Sequence, residues 1–315
     1  MLDATFYDLL MEASNAISQA MTEARAKSGE AAEPRPPILA LRAGLAESPG
    51  WYLVQAAEFA PEPLTVEKLR VRDVYASERL AAAVLEIMAS EGWLDRADDG
   101  AYALTEAGWA VLHRSRERVR RLLASVEMLP EADLAFLLSA FERIIQASLA
   151  SPTPPGNWCL EHSRNRAPAD DAPALVKLLH YFDDFNAFRD DAHMAAWQPL
   201  EPSGAAWEAF ALVCSGEATS LEQVYHQLAR RGNSRHEYAA ALASLARRGW
   251  LAIASQPATY QVTEAGRTVR GQVERLTDSY FYAPWSHLTE EEIARVHGLL
   301  LQMQAGMQEM SKSSA

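Results

Sequence analysis

The sequence has few of the residues that mark a secreted scaffold, a metal centre or a membrane protein. Two cysteines in 315 residues are too few for a disulfide framework or a cysteine-rich zinc site. The 15 glycines form no phosphate-binding loop, and no run of about 18 apolar residues is present to span a bilayer. The N-terminus lacks the basic start and apolar core of a signal peptide. We therefore expect a cytoplasmic protein that makes no contact with a membrane.

Basic residues are also scarce. The chain has 29 Lys and Arg against 42 Asp and Glu, a formal charge of −13 and a pI of about 5.1. This balance counts against a broad, non-specific grip on phosphate backbones. Hydrophobic residues make up 49% and charged residues 23%, which is typical of a globular protein. At roughly 150 residues per domain, the length predicts two domains.

Two stretches of the chain resemble each other. Residues 82–94, ending in Gly-Trp-Leu, recur as 239–251, and residues 102–108 recur as 260–266. Trp93 thus corresponds to Trp250 at an offset of 157 residues, and Thr105 to Thr263 at an offset of 158. A single inserted residue between two matching blocks is what a loop tolerates. We interpret the pair as a duplication.

Both copies have the same pattern of helix starts and stops, with a hydroxyl residue before each helix and a glycine after the second. These positions are Thr65, Ser77, Gly92 and Thr105 in the first copy, and Ser220, Ser234, Gly249 and Thr263 in the second. A hairpin follows each glycine, with its turn at 98–100 or, in a longer form, at 255–259. The order predicts a winged helix-turn-helix. The fold class we expect is mainly α with small β-hairpin wings, as two tandem winged helix-turn-helix modules joined by a helical central segment.

The step from each hairpin into the next helix, Leu104–Gly108 and Val262–Gly266, resembles the Leu-Thr-x-x-Gly step of MarR-like winged-helix regulators. The resemblance covers about 50–130 and 205–305. It implies that the late helices beginning near Leu129 and Leu288 form a dimer interface. The two copies in one chain then mimic the two subunits of such a dimer, so the protein is a monomer acting as a pseudo-dimer, or a homodimer.

The second half is also similar to a group of actinobacterial helix-turn-helix proteins. The shared features are a central helix with Arg189-x-x-x-His193 and the motif Ala283-Pro284-Trp285 before the last helix. This similarity implies a fold and carries no activity.

Proline-rich breaks divide the chain into four expected segments. They are an N-terminal amphipathic helix and linker at 1–37, a first winged-helix module at 38–150, a central helical segment at 151–203, and a second winged-helix module with a C-terminal helix at 204–315. The apolar stripe of the N-terminal helix needs a cover, which is either the chain's own core or a second subunit.

DNA reading requires polar and basic side chains on the second helix of the motif and on the wing. The second copy meets this better, and the candidate DNA contacts are Arg230, Arg231, Ser234, Arg235 and His236, with Arg79 and Arg96 from the first copy. The first wing, 95–99, has one positive charge against three negative ones. A basic run at 113–121 is either a solvated helix face or a phosphate contact beside the first module.

The central segment contains a long helix beginning near Pro173, whose apolar stripe continues into Arg189, His193 and Trp197. Because buried charges need partners, the stripe has two interpretations. One is an internal ion-pair cluster with Asp184, Asp190, Asp191 or Glu161. The other is a pocket for a small anionic effector. The candidate ligand-binding residues are Trp158, His162, Arg164, Arg166, Arg189, His193 and Trp197.

A metal site is a third interpretation of the central segment. Cys159, His162, His180, Asp184 and His193 are suitable ligand types, yet no metal-binding spacing supports it, and we assign no metal residue. We also assign no catalytic residue and no cofactor, since no catalytic motif is present.

The sequence therefore predicts a regulator of transcription that binds double-stranded DNA, responsive to a ligand through the central segment. The alternatives are a ligand-binding or enzymatic protein that uses winged helices as a scaffold, and a protein-interaction adaptor.

Overall fold

A computed structural model describes residues 2–29, 49–254 and 259–313. It is 73% helical with two small antiparallel hairpins, which confirms the expectation of a mainly α protein with small hairpins. The proline-rich break at 33–37, the turn at 255–258 and the last residues, 314–315, lie outside the described residues. No helix in these ranges is long and apolar enough to cross a membrane.

The described residues form the following helices: α1 Ala4–Ser28, α2 Pro49–Phe59, α3 Val66–Arg72, α4 Glu78–Ser90, α5 Glu106–Ala124, α6 Glu131–Ala150, α7 Trp158–Arg164, α8 Ala174–Trp197, α9 Gly204–Ser215, α10 Leu221–Leu228, α11 Arg235–Arg247, α12 Glu264–Tyr282 and α13 Glu290–Ser313. The strands are β1 Leu94–Arg96, β2 Tyr102–Leu104, β3 Leu251–Ala254 and β4 Thr259–Val262. Short 3-10 helices cover Gln198–Leu200, Ala229–Arg231 and Ala283–His287. β1 pairs antiparallel with β2, in the register Leu94 to Leu104, and β3 pairs antiparallel with β4, in the register Leu251 to Val262.

The predicted helix caps are present in both copies. The side chains of Thr65, Ser77, Ser220 and Ser234 each accept a hydrogen bond from a backbone N–H in the first turn of the helix that follows. At α10 and α11 the third residue of the helix, Gln223 or Glu237, also bonds back to the backbone N–H of the cap residue. These reciprocal bonds satisfy helix-end donors that would otherwise lack partners.

The Thr-x-x-Gly step has the same physical role after each hairpin. The Thr105 hydroxyl accepts from the backbone N–H of Gly108 at 3.0 Å and donates to the Gly92 carbonyl at 2.6 Å. Thr263 makes the equivalent bonds. A β-carbon added at Gly108 would lie 2.3 Å from the carbonyl oxygen of Trp93. The motif therefore caps a helix and also packs its first turn directly against the start of the preceding strand.

The chain forms two compact units, and the boundary between them falls within α5, α8 and α12. The helical unit comprises the described parts of 1–33, 113–195 and 277–315. The hairpin unit comprises the described parts of 34–112 and 196–276. This division differs from the four consecutive segments we expected. Three of the boundaries lie inside the continuous helices α5, α8 and α12, where the sequence has no break, and the fourth, at 33–34, lies outside the described residues.

The core of the helical unit is rich in aromatic side chains. Phe6 of α1 meets Trp285 edge-on at 5.0 Å between ring centres, and Phe141 of α6 meets Phe185 of α8 edge-on at 4.8 Å. Helix α1 packs along α13, and the α1 side chains Phe6, Leu10 and Ile17 are almost completely buried. The chain's own core therefore covers the apolar stripe of the N-terminal helix.

The core of the hairpin unit includes Trp197, at the end of α8, stacked on Trp207 of α9 with ring centres 5.7 Å apart. Tyr238, Leu242 and Leu245 of α11 are buried against this cluster. Burial of one face of α11 leaves its opposite face available to solvent.

Candidate functional site

The start of α11 presents basic and polar side chains to solvent. Arg230 and His236 are exposed. Arg235 is also exposed and lies 2.9 Å from Glu222 of α10, whose side chain is equally exposed. Exposed ion pairs of this kind contribute little free energy, so Arg235 can exchange its carboxylate partner for a phosphate.

Residues 230–254 and residues 73–97, which have the same order of a turn, a helix and a strand, differ in charge. Residues 230–254 contain five arginines and one glutamate, whereas the corresponding residues 73–97 contain five acids and two arginines. The two segments have the same order of elements but opposite charge. Their surfaces therefore suit different partners. A negatively charged backbone is attracted by the second segment and repelled by the first.

The two arginines of the first segment have intramolecular partners. Arg79 donates to the carbonyl of Gly232 at 2.6 Å. Arg96 of β1 lies 2.5 Å from Glu86, which also accepts from the Tyr102 hydroxyl. The remaining exposed charges of this hairpin, Asp95, Asp98 and Asp99, are acidic. The candidate DNA contacts Arg79 and Arg96 thus face protein groups on a surface that is mainly negative.

The turn before α4 and the turn before α11 contact each other within the hairpin unit. The backbone N–H of Ser77 donates to the Arg231 carbonyl at 2.8 Å, and the Asn233 side chain donates to the Tyr75 carbonyl at 3.1 Å. Gly232 has a φ of +73°, and a β-carbon there would lie 2.7 Å from atoms of Ser77 and Leu80. Close approach and a left-handed backbone both require glycine at this position.

Arg231 occupies the centre of this contact. Its guanidinium lies 3.0 Å from Asp73 and 2.8 Å from Glu208, and only 13% of its side chain is exposed. Burial raises the pKa of both carboxyls, and the charge of Arg231 opposes that rise. Sequence reasoning grouped Arg231 with the DNA contacts, but the structure places it between two buried acids.

The same contact does not fit the expected pseudo-dimer. In a dimeric helix-turn-helix protein, the helix starts that contact bases lie one DNA turn apart, about 34 Å. Here Ser77 and Arg79, at the start of α4, hydrogen bond to the carbonyls of Arg231 and Gly232, which lie only three to four residues before α11 begins at Arg235. The two helix starts are therefore too close to act as the two half-site readers of one dimer.

The candidate ligand residues fall into separate groups with different partners. Arg189 lies 3.1 Å from Asp278 and 4.3 Å from the ring centre of Tyr7, and the His193 ring lies 3.3 Å from the Thr277 hydroxyl. The rings of Trp158 and His162 are 4.0 Å apart. Trp197 belongs to the core of the other unit.

The expected ion-pair cluster forms around other residues than Arg189. Asp184 is fully buried and accepts from Ser163 and Arg164, both at 2.7 Å. Burial outweighs these bonds and raises the pKa of Asp184 to about 6. Asp191 accepts from the backbone N–H groups of Cys159 and Leu160 at 2.8 and 2.9 Å, so it caps the start of α7.

A cleft of about 340 Å³ lies between the second half of α5, the loop at 166–172 and the first half of α8. Arg116 and Arg120 of α5, Arg166 of the loop and His180 of α8 line it. Sequence reasoning named Arg166 as a ligand residue but did not connect it with α5. The spacing of Arg116 and Arg120 places them on one face of α5, but it does not indicate that this face meets the loop at 166–172. Among the described residues, no group of three or more His, Cys, Asp or Glu is arranged to hold a metal ion.

Comparison with known proteins gives one match. A helix-turn-helix family matches residues 163–311, just under half of the chain, which includes α9 to α12 and the hairpin β3–β4. A helix-turn-helix domain is therefore present, and at the coarse level it indicates a DNA-binding regulator. No curated protein and no solved structure matches the chain.

Proposed function

We propose that the protein is a regulator of transcription built from two winged helix-turn-helix modules, of which only the second reads DNA. The reader is α11, with Arg235 and His236 facing base edges and Arg230 facing the phosphate backbone. The observation that carries this proposal is the charge contrast between residues 230–254 and residues 73–97. A helix-turn-helix whose exposed face is basic fits the major groove, whereas an acidic one is repelled.

The first module serves to hold the second in place. Its turn is hydrogen bonded to the turn of the second module, and Arg79 donates to the Gly232 carbonyl in that contact. Its acidic surface supports this assignment, because contact between that surface and DNA would bring like charges together. The restriction to one reading helix also explains how an acidic protein binds DNA, since a local basic surface is sufficient.

One reading helix covers one half-site. A palindromic target would then require two copies of the chain. Of the two oligomeric states expected from the sequence, a monomer acting as a pseudo-dimer or a homodimer, this agrees with the homodimer. The helical unit is the part that responds to an effector, and it contains the cleft lined by Arg116 and Arg166.

The test is selection of bound duplexes from a random pool, followed by fluorescence anisotropy with the selected sequence at several salt concentrations. We expect His236→Ala to weaken binding to the selected site by about 1–3 kcal/mol and to relax the preference at one base pair. Arg230→Ala should weaken binding to all sequences alike. It should also reduce the slope of log affinity against log salt concentration by about one.

The matched control is Arg96→Ala, which removes a similarly exposed arginine from the first module. We expect it to leave DNA affinity unchanged. Equal, weak binding to every sequence at physiological salt would refute the regulator assignment. Loss of affinity in Arg96→Ala but not in Arg230→Ala would assign reading to the first module and contradict the proposal.

A further inference from the structure

The cleft between α5, the loop at 166–172 and α8 has the chemistry of a ligand site. We propose that it binds a small organic acid with a single negative charge, whose acid group lies among Arg116, Arg166 and His180 and whose apolar part packs on Val119 and Leu179. These five residues all line the cleft. The inference goes beyond DNA binding, and it holds whether or not the second module reads DNA.

Arg116 and Arg166 place two positive charges in the lining of one cleft. The pKa of Arg116 is lowered, first by burial and then by the charge of Arg166. A bound anion would offset the repulsion between the two like charges. Arginine also suits this role because its planar group binds a carboxylate through two parallel hydrogen bonds.

His180 is the second, independent sign of a ligand. His180 lines the cleft, its side chain is only 6% exposed, and its Nε2 atom has no hydrogen-bond partner. The Asp184 oxygen that lies 3.5 Å from Nε2 accepts a hydrogen bond from Ser163. A buried polar atom without a partner is costly, and an anion accepting from an Nε2–H group would remove that cost.

The acids around the cleft limit the charge of the ligand. Arg120 lies 3.3 Å from Asp171, and Arg166 lies 3.8 Å from Asp183. With Glu117, the lining contains three carboxylates against three arginines. This balance favours a single negative charge over a phosphate dianion. The apolar side chains in the lining favour a hydrocarbon body, and the volume of about 340 Å³ is at the small end of ligand pockets.

The test uses octanoate as the probe and isothermal titration calorimetry of the full chain. 1-Octanol is the neutral counterpart of the same length, and inorganic phosphate is a compact anion without an apolar body. We expect octanoate to bind with a dissociation constant below millimolar, and the other two probes to bind at least tenfold more weakly. The ring nitrogen signals of His180, followed by NMR, should shift with octanoate and reach saturation with the calorimetric constant.

Arg116→Gln should weaken octanoate binding at least tenfold, because a charge-assisted hydrogen bond is lost. The matched control is Arg114→Gln on an exposed position of the same helix, outside the cleft lining, and we expect it to bind like the unchanged protein. Unfolding curves of both variants should coincide with that of the unchanged protein, since the two side chains lie outside the apolar core.

Three results would overturn the assignment: equal binding of octanol and octanoate, tighter binding of phosphate than of octanoate, or no heat and no His180 shift up to millimolar octanoate. Equal loss of affinity in Arg114→Gln and Arg116→Gln would also overturn it, because it would show a non-specific attraction to the basic run. None of these measurements involves DNA, so failure of the ligand site is distinguishable from failure of the DNA-binding proposal.

Discussion

Substitution of Arg231 distinguishes a structural ion pair from a DNA contact. The guanidinium is held between Asp73 and Glu208, whose side chains are only 5% and 16% exposed. Arg231→Met keeps most of the aliphatic stem and removes the charge, so two buried carboxylates lose their counter-charge. Removal of one partner of a buried ion pair costs about 3–5 kcal/mol, and we expect a loss of that size in the free energy of unfolding at pH 7.5.

The loss should depend on pH in a defined direction. Burial raises the pKa of Asp73 and Glu208 in the folded state, and Arg231 opposes this rise. Without Arg231 both pKa values rise further, so the folded variant binds protons more tightly than the unfolded chain. Stability of the variant therefore increases as the pH falls below neutral, by about 1.4 kcal/mol for each unit of additional pKa shift.

The assay is urea unfolding followed by circular dichroism at pH 5, 6 and 7.5, with DNA anisotropy on the same samples. Arg230→Met is the matched control, since Arg230 is the exposed neighbour. We expect it to change stability by less than about 0.5 kcal/mol while weakening DNA binding. Unchanged stability of Arg231→Met together with lost DNA affinity would refute the reasoning, because it would show that Arg231 contacts DNA as the sequence alone suggested.

Three further predictions concern the fold. Gly266→Ala places a β-carbon 2.2 Å from the Trp250 carbonyl oxygen and should destabilise the chain by about 1–3 kcal/mol or more in thermal unfolding. The control Gly298→Ala, which has open space around it, should stabilise the chain by up to about 1 kcal/mol. Equal effects of the two variants would contradict the close packing of the motif. Asp191→Ala removes the carboxylate that accepts from two buried N–H groups of α7 and should lower the free energy of unfolding in urea by about 2–5 kcal/mol. The same change at its exposed neighbour, Asp190→Ala, should cost little. A larger loss for Asp190→Ala than for Asp191→Ala would exclude the capping role. Leu10→Ala should lower the free energy of unfolding by about 2–5 kcal/mol, because Leu10 is fully buried on α1, which packs along α13. A loss that appeared only at concentrations where the protein self-associates would indicate that a second subunit covers α1.

Local features of the fold were predictable because they depend on neighbouring residues. The caps at Ser77 and Ser234, the glycine stops at Gly92 and Gly249, and the hairpin turn at 98–100 are determined by contacts within a few positions. The Thr-x-x-Gly step is of the same kind, although its reason, the close approach of Gly108 and Gly266 to a tryptophan carbonyl, required coordinates.

The candidate sites were less predictable, since a side chain's role depends on which distant residue it meets. One of the two interpretations of Arg189 pairs it with an acid of its own segment, whereas it lies beside Asp278, 89 residues away. Arg231 and Asp73 are 158 residues apart. Likewise, the cleft combines α5 with a loop some 50 residues later, and no periodicity within either element indicates that they meet.

The sequence alone determines the helical and hairpin elements, their order, and the charge difference between residues 73–97 and residues 230–254. Propensity, capping and charge are properties of residues that are close together in the chain. The tertiary structure decided which arginines remain available. It engages Arg231 and Arg79 at the contact between two turns, leaves Arg230 and Arg235 exposed, and brings Arg116 beside Arg166 and His180. The physical reason is that burial and ion pairing depend on long-range packing, which sets the free energy of a charge more strongly than its position in the sequence does.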